Sequence, residues 1–144
     1  MAKYKIGYTQ GTYDLFHIGH LNLLNNAKKQ CDYLIVGVNS DNLVQNYKHK
    51  IPTIKQKDRA KIVEAIKYVD KVVITETLDK SAIHKMIEFD VVFIGSDWKG
   101  NDRWKKTELD LKKIGVDVVY LPHTDGISTT KIIETINVSG GKSE

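Results

Sequence analysis

Long hydrophobic runs are missing from this sequence: no stretch approaches the 18 consecutive apolar residues that a membrane-spanning helix requires. Cysteine is nearly missing too, since Cys31 is the one cysteine among 144 residues. A single cysteine excludes an internal disulfide and is typical of a reducing compartment. We expect Cys31 to be a small buried hydrophobic residue at a helix end. The first residues also lack the apolar stretch of a secretory signal. Together these absences predict a cytoplasmic protein without a membrane partner.

Internal repeats and low-complexity segments are also absent. A chain of 144 residues that is 41% hydrophobic can bury one sizeable core, and its length predicts one domain rather than two. We assign residues 1–138 to that domain and expect residues 139–144 to form a disordered tail.

The net charge of +4 is modest, but its distribution is informative. Between Lys48 and Lys61 six basic residues accompany a single acid, Asp58, and a second basic cluster consists of Lys99, Arg103, Lys105 and Lys106. A solvated surface explains most single lysines, whereas two clusters beside motif-like loops favour an anionic ligand. No RNA- or DNA-binding signature accompanies them, so nucleic acid is not the expected partner.

Short apolar runs rich in β-branched residues alternate with segments of helical periodicity. The runs predict strands at Tyr4–Thr9, Tyr33–Val38, Lys71–Ile74, Val91–Ile94 and Val116–Leu121. The other segments predict helices at Ile18–Gln30, Lys57–Lys67, Lys80–Glu88, Thr107–Ile114 and Ser128–Ile136. This alternation predicts a doubly wound, Rossmann-like α/β fold with a parallel five-stranded sheet. Such sheets bind ligands beyond the carboxyl ends of their strands.

The longest irregular stretch is the loop Asn39–Gln56, which has room for a short helix at Asp41–Tyr47. Long loops in compact domains tend to be functional, and this one holds lysines but no sustained apolar stripe. We therefore expect it to be mobile in the empty protein and to order around anionic substrates.

The first candidate motif is Gly11-Thr-Tyr-Asp-Leu-Phe-His-Ile-Gly-His20, which follows the first strand and opens the first helix. Its glycines allow a close approach to a ligand, and a helix start attracts phosphate. His17 and His20 are three residues apart, so both can lie on one side of the first turn and donate to phosphate oxygens. Two alternatives stay open: a zinc site, for which no third ligand stands at a recognisable spacing, and two core histidines with satisfied hydrogen bonds.

Two further loops follow predicted strands. The segment Thr124–Lys131 places three hydroxyls at the start of the last helix, where Ser128 or Thr129 is also an ordinary N-cap candidate. Two phosphate-binding helix starts in one domain favour a triphosphate that spans them. The segment Gly95–Gly100 carries Trp98, which either packs or stacks on a base or ribose.

These motifs resemble those of the HxGH nucleotidylyltransferase superfamily, and most closely the bacterial glycerol-3-phosphate cytidylyltransferases. The resemblance rests on the first motif, the loop Gly95-Ser-Asp-Trp-Lys-Gly100, the helix Arg59–Asp70 and the segment Gly126-Ile-Ser-Thr-Thr130. It covers roughly residues 4–136. The HxGH motif marks only the superfamily, whereas the four motifs in order are specific to this family.

The resemblance implies roles for individual residues. Those implied to bind the nucleotide are Thr12, Tyr13, His17, His20, Asp97, Trp98, His123, Thr124, Ser128 and Thr129. Those implied to bind the phosphoalcohol are Lys48, Lys50 and Lys67. The catalytic candidates are His17, His20, Lys48 and Arg59. The resemblance also implies Mg²⁺ that arrives with CTP, with Asp14 as a candidate ligand, and a homodimer.

Three positions differ from the family pattern. His123 and Lys67 replace arginines, and Ser96 replaces an acid. Neither His123 nor Lys67 offers the paired contacts of a guanidinium, and histidine loses its charge near neutral pH. These changes leave the reaction class in place and bear on the choice of phosphoalcohol.

The implied reaction joins CTP to a phosphorylated alcohol, glycerol-3-phosphate first of all, and gives a CDP-alcohol and pyrophosphate. A phosphate monoester is already ionised at pH 7, so the reaction requires positioning and charge neutralisation rather than a general base. The alternatives are an enzyme that forms CDP-ribitol, CDP-choline or CDP-ethanolamine, and an ATP-using adenylyltransferase such as an FAD synthetase. A non-catalytic nucleotide-binding module is the alternative from another class.

Overall fold

The computed structural model describes residues 2–142, with side chains described through residue 138. Five strands form one sheet: β1 (Tyr4–Gly11), β2 (Cys31–Asn39), β3 (Lys71–Thr75), β4 (Val91–Gly95) and β5 (Asp117–Leu121). Six α-helices connect or follow them: α1 (Ile18–Lys28), α2 (Asp41–Lys48), α3 (Gln56–Glu64), α4 (Lys80–Met86), α5 (Asp102–Lys113) and α6 (Thr129–Lys142). A short 3₁₀ helix lies at Ser96–Trp98.

The sheet is parallel throughout, in the order β3-β2-β1-β4-β5. Helices α1 and α3 pack on one face through Leu24 and Val63, whereas α4 and α5 pack on the other through Ile83, Trp104 and Leu111. Both faces are thus covered, which explains why the strands are apolar at successive positions. The predicted doubly wound, Rossmann-like α/β fold is confirmed.

The strand order reverses between β1 and β4. The chain moves outward from β1 to β3 and then crosses back to place β4 beside β1. The loops that leave the carboxyl ends of these two central strands therefore diverge to opposite faces of the sheet. This divergence opens a crevice, which is where ligands bind in folds of this class.

Most predicted element boundaries agree with the structure to within a few residues, but two helices differ. Helix α5 begins at Asp102, five residues before the predicted start, because the Asn101 side chain accepts from the amides of Arg103 and Trp104. Helix α6 continues to Lys142 instead of ending at Ile136. Residues 139–142 of the expected tail thus lie in α6, and residues 143 and 144 lie outside the described part.

The stretch Asn39–Gln56 contains the short helix that the sequence allowed at Asp41–Tyr47. Its first part forms α2, which the Ser40 side chain caps by accepting from the Leu43 amide. The irregular part is limited to residues 49–55, and its mobility stays a prediction. Cys31 is buried at the first residue of β2, immediately after α1, as expected.

Candidate active site

A cleft lies at the carboxyl ends of β1 and β4 and consists of two adjoining volumes of about 360 and 290 Å³. We call the first the histidine half; its own residues include His17, Asp97, His123, Thr124 and Ser128. We call the second the lysine half; its own residues include Asn39, Tyr47, Lys50, Lys80 and Arg103. The wall common to both includes Thr12, Tyr13, His20, Lys48, Trp98 and Thr129. The structure therefore brings most of the predicted site residues together.

His17 and His20 form a stacked pair at the start of α1, with ring centroids 3.8 Å apart. The Gly19 amide donates to His17 Nδ1 at 3.0 Å, and the His17 amide donates to His20 Nδ1 at 3.2 Å. Because each Nδ1 accepts a hydrogen bond, the proton of each neutral ring is on Nε2. The pair thus offers two N–H donors of fixed tautomer.

Both histidines are neutral at pH 7. Burial lowers the pKa of His17, and burial together with the neighbouring His17 lowers the pKa of His20 to about 3. Their Nε2–H groups therefore donate hydrogen bonds to an anion without carrying a charge of their own. Among residues 2–142 no group of three or more His, Cys, Asp or Glu side chains is placed to hold a metal ion.

The loop between β1 and α1 is strained. Tyr13 and Leu15 have φ angles of 55° and 50°, a left-handed conformation that costs a non-glycine residue about 1–3 kcal/mol. Tyr13 is buried, and its ring lies 5.2 Å from that of His20. Strain of this kind is concentrated at functional sites, where surrounding contacts hold it in place.

Asp14, the candidate magnesium ligand, has a structural task. Its two carboxylate oxygens accept from the amides of Thr53 and Ile54 at 2.7 and 2.9 Å, and its backbone carbonyl accepts from Thr129 Oγ1 at 2.7 Å. Asp14 is buried and joins the loop after β1 to two other segments. Both carboxylate oxygens thus have backbone donors, and Asp14 as a magnesium ligand stays a prediction.

Arg59 is a catalytic candidate that the structure places behind the cleft. Its side chain is fully buried and does not line either half. The guanidinium donates to the carbonyls of Ile54, Thr12 and Asn39 at 2.7, 2.6 and 2.8 Å, and to Asp41 Oδ1 at 2.6 Å. These contacts occupy four of its five N–H donors, so we interpret Arg59 as a positioning residue that fixes the backbone of the cleft wall.

Among the predicted phosphoalcohol-binding lysines, two reach the cleft and one does not. Lys48 lines both halves, and Lys50 lines the lysine half. Lys67 lies between the end of α3 and the first residue of β3, which places it near the amino ends of the strands. The cleft lies at the opposite, carboxyl ends. Its ammonium lies 5.3 Å from the centroid of the Tyr68 ring. A contact between Lys67 and a ligand in this cleft is therefore not supported.

The loop between β5 and α6 closes the histidine half. His123 Nδ1 lies 3.7 Å from Asp97 Oδ1, and Thr124 Oγ1 accepts from the Asn22 side chain at 3.1 Å. Ser128 Oγ accepts from the Lys131 amide at 3.1 Å, which is the N-cap contact weighed from the sequence. Ser128 thus has both a structural contact and a place in the cleft wall.

Trp98 stands where the two halves meet and is half-exposed, so it is not a core residue. The Arg103 guanidinium lies 5.5 Å from its ring centroid. The exposure of this indole at the cleft favours stacking on a ligand over packing.

Several cleft residues carried no recognisable signal in the sequence. Lys80 is only 7% exposed, and its ammonium lies 5.0 Å from the centroid of the Trp104 ring. Burial and the nearby Arg103 lower the pKa of Lys80 to about 8. Asn39 and Tyr47 lie in the lysine half without belonging to any motif. The one hint for Lys80 was that it begins a predicted helix just after a strand.

The fold, the helix-start histidines and the cleft beyond the central strands define a nucleotide-transferring class of enzyme. Residues 8–135 match the family described as "Cytidylyltransferase-like". The chain belongs to this family, and it is accordingly a CTP-using cytidylyltransferase.

Individual relatives agree with this assignment. The chain is 40% identical over 125 residues to the glycerol-3-phosphate cytidylyltransferase of Staphylococcus aureus, which covers 86% of this chain and 89% of the relative. The Bacillus subtilis glycerol-3-phosphate cytidylyltransferase is 39% identical over 130 residues, with coverage of 89% and 94%. The FAD synthase of Thermococcus kodakarensis is 37% identical over 131 residues, with coverage of 88% and 87%.

A solved structure resembles the fold as well. The lipopolysaccharide core biosynthesis protein from Thermoplasma volcanium superposes with a TM-score of 0.74 at 25% identity, covering 85% of this chain and 99% of that one. Among the described residues, no helix combines the length and apolar character needed to cross a bilayer.

Proposed function

We propose that this cytidylyltransferase transfers the cytidylyl group of CTP to a small phosphorylated alcohol, with glycerol-3-phosphate as the first expected acceptor. The observation that carries the proposal is the two-part cleft, whose halves meet at Thr12, His20 and Lys48. One half is suited to a nucleotide triphosphate and the other, lined by Lys50 and Lys80, to a second anion. Relatives named for glycerol-3-phosphate support this acceptor.

In the proposed reaction a phosphate oxygen of the acceptor attacks the α-phosphorus of CTP. The new P–O bond forms as the bond between the α-phosphorus and the bridging oxygen of the β-phosphate breaks, and pyrophosphate leaves with that electron pair. The acceptor phosphate is already ionised, so no residue has to remove a proton. Catalysis then consists of in-line positioning and stabilisation of the charge that develops on the transferred group.

The chain's own groups suit this task. The Nε2–H groups of His17 and His20 donate to oxygens around the α-phosphate, and Lys48 neutralises charge where the two halves meet. The partial positive charge at the start of α1 adds to this field. Magnesium stays a prediction, as an ion that accompanies the CTP phosphates rather than one held by this chain. The homodimer and the cytoplasmic location also stay predictions.

The test is a pyrophosphate-release screen. Each of the four nucleoside triphosphates is offered with glycerol-3-phosphate, ribitol-5-phosphate, phosphocholine and phosphoethanolamine. We expect release only with CTP, and the highest kcat/KM with glycerol-3-phosphate. Preference for another acceptor would change the product, whereas absence of release with every pair would remove the proposal.

A second candidate function is adenylyl transfer from ATP to FMN, because FAD synthases are 35–37% identical over most of this chain. Incubation with ATP and FMN, followed by chromatography for FAD, decides between the two. FAD formation faster than CTP-dependent release would favour this second function.

A further inference from the structure

A chain of hydrogen bonds runs under the floor of the lysine half. The Tyr8 hydroxyl donates to Gln10 Oε1 at 2.8 Å, and Gln10 Nε2 donates to Asn39 Oδ1 at 2.8 Å. Asn39 Nδ2 then donates to two hydroxyl oxygens, that of Tyr47 at 3.2 Å and that of Thr12 at 3.4 Å. Gln10 is held further by a bond from Nε2 to the Thr77 carbonyl at 2.9 Å.

Every bond in this chain points in the same direction. Gln10 spends both amide hydrogens on Asn39 and Thr77, so its side chain cannot turn round without losing them. Asn39 must then accept at Oδ1 and donate at Nδ2, towards the cleft. Because Tyr47 and Thr12 accept from Asn39, neither hydroxyl can direct its own hydrogen at the Asn39 amide. The two hydroxyls also share one long hydrogen bond of 3.4 Å, in which either can be the donor, so the hydrogen of the other hydroxyl points to a further partner.

The first donor of this hydrogen-bond chain, the Tyr8 hydroxyl, is fixed by packing. Tyr8 is fully buried, and a Cβ atom at Gly37 would overlap its hydroxyl oxygen, so the absence of a side chain there admits the ring. Burial raises the pKa of Tyr8 well above its usual value, so its hydroxyl remains a donor throughout the working pH range. The direction of donation is therefore set inside the core.

The last two hydroxyls of this hydrogen-bond chain, those of Thr12 and Tyr47, lie at the cleft. Thr12 lies in the wall common to both halves, whereas Tyr47 lines only the lysine half. The backbone carbonyls of Thr12 and Asn39 are both held by Arg59, which keeps the two strand ends in register. The Asn39 side-chain amide thus orients two hydroxyls, that of Thr12 at the point of transfer and that of Tyr47 on the acceptor side.

We propose that the Tyr47 hydroxyl binds the phosphate of the acceptor alcohol, and that Gln10 and Asn39 are positioning residues that direct Tyr47 and Thr12 to donate into the cleft. This inference rests on the proposed function and gives roles to Gln10, Asn39 and Tyr47, which no motif of the sequence contains. A hydroxyl that must donate suits an anionic oxygen and fits poorly against a cationic group. The site therefore selects acceptors by their phosphate rather than by a charged amine.

The first test is Tyr47→Phe, which removes one oxygen and keeps the ring. Loss of one hydrogen bond to a charged group should raise KM for glycerol-3-phosphate about tenfold or more, with KM for CTP and the urea unfolding midpoint unchanged. Tyr33→Phe is the matched control, since Tyr33 is an exposed tyrosine near the amino end of β2. A Tyr47→Phe enzyme whose KM for both substrates stays within twofold of wild type would overturn the inference.

The second test reverses the direction of donation. In Asn39→Asp the carboxylate only accepts, so both hydroxyls turn to it and away from the cleft. We expect KM to rise for both substrates, and adding Tyr47→Phe to this variant should then cost less than twofold. Full additivity of the two changes would show that Asn39 does not act through Tyr47.

Direct binding separates this inference from the proposed reaction. Calorimetric titration measures glycerol-3-phosphate and CTP affinity without turnover. If wild-type protein binds both but releases no pyrophosphate, the proposed function fails, while weaker glycerol-3-phosphate binding by Tyr47→Phe still supports the inference. Wild-type protein that binds no phosphorylated alcohol would overturn both.

Discussion

Arg59→Met should destabilise the protein strongly, because it removes a buried charge while leaving all of its partners in place. The guanidinium is fully buried and contacts three carbonyl oxygens and the Asp41 carboxylate. Asp41 is 34% exposed, so most of the cost comes from the three carbonyl oxygens left without a donor, at about 1–2 kcal/mol each, or about 3–5 kcal/mol together. For a domain of this length each kcal/mol lowers Tm by about 3 °C, so we expect a fall of about 10–15 °C.

Thermal unfolding followed by circular dichroism, with urea unfolding at 25 °C, measures this effect. Lys61→Met is the matched control, since Lys61 is an exposed basic residue on the same helix and should change stability by less than about 0.5 kcal/mol. If Arg59→Met unfolds within about 3 °C of the control, the guanidinium is not the support described above. Its catalytic role would then have to be examined afresh.

The remaining predictions concern the cleft. Alanine at His17 or His20 should lower kcat by about 10²–10⁴-fold in steady-state assays, and a near-normal kcat would return the pair to a structural role. Because the pKa of His20 is about 3 when folded and near 6.5 when unfolded, its contribution is present above pH 6.5 and falls by about 2 kcal/mol at pH 5. Urea unfolding at pH 7 and 5 should therefore show less acid sensitivity for His20→Gln than for wild type. Lys48→Ala and Lys50→Ala should weaken turnover with little change in Tm. A fall of many degrees in Tm would show instead that these residues, at the end of α2 and just after it, support the fold. His123→Arg should lower KM for CTP, because a guanidinium offers the paired contacts that histidine lacks, whereas an unchanged KM would mean that His123 does not touch the phosphates.

The strands could be predicted from the sequence because a strand buried on both faces is apolar at nearly every position. The start of α5 was missed for the opposite reason: Asp102-Arg-Trp-Lys-Lys106 is mostly polar and shows no apolar stripe, and only the Asn101 cap marks its beginning. Local patterns thus predict elements that bury a continuous surface better than those that begin in solvent.

The candidate site was predictable where it consists of loops next to helix starts, as with His17 and His20. The site was not predictable where the direction of a long side chain decides whether its charged group lies in the cleft or behind it. Nothing in the sequence places the Arg59 guanidinium under the wall rather than in the cleft. The hydrogen-bond chain that leads from Tyr8 to Tyr47 joins residues that only the fold brings together, so no sequence spacing predicts it.

The reversal of strand order has a consequence for how the specificity of this chain can change. Apart from Asp14, Arg103 and Trp104, the polar residues peculiar to the lysine half fall between Asn39 and Lys80, one continuous stretch that begins at the end of β2. The groups peculiar to the histidine half lie in other stretches, on either side of it. With the acceptor in the lysine half, as proposed above, acceptor preference is largely a property of one segment, and transplanting that segment from a relative is expected to alter the acceptor while preserving CTP binding.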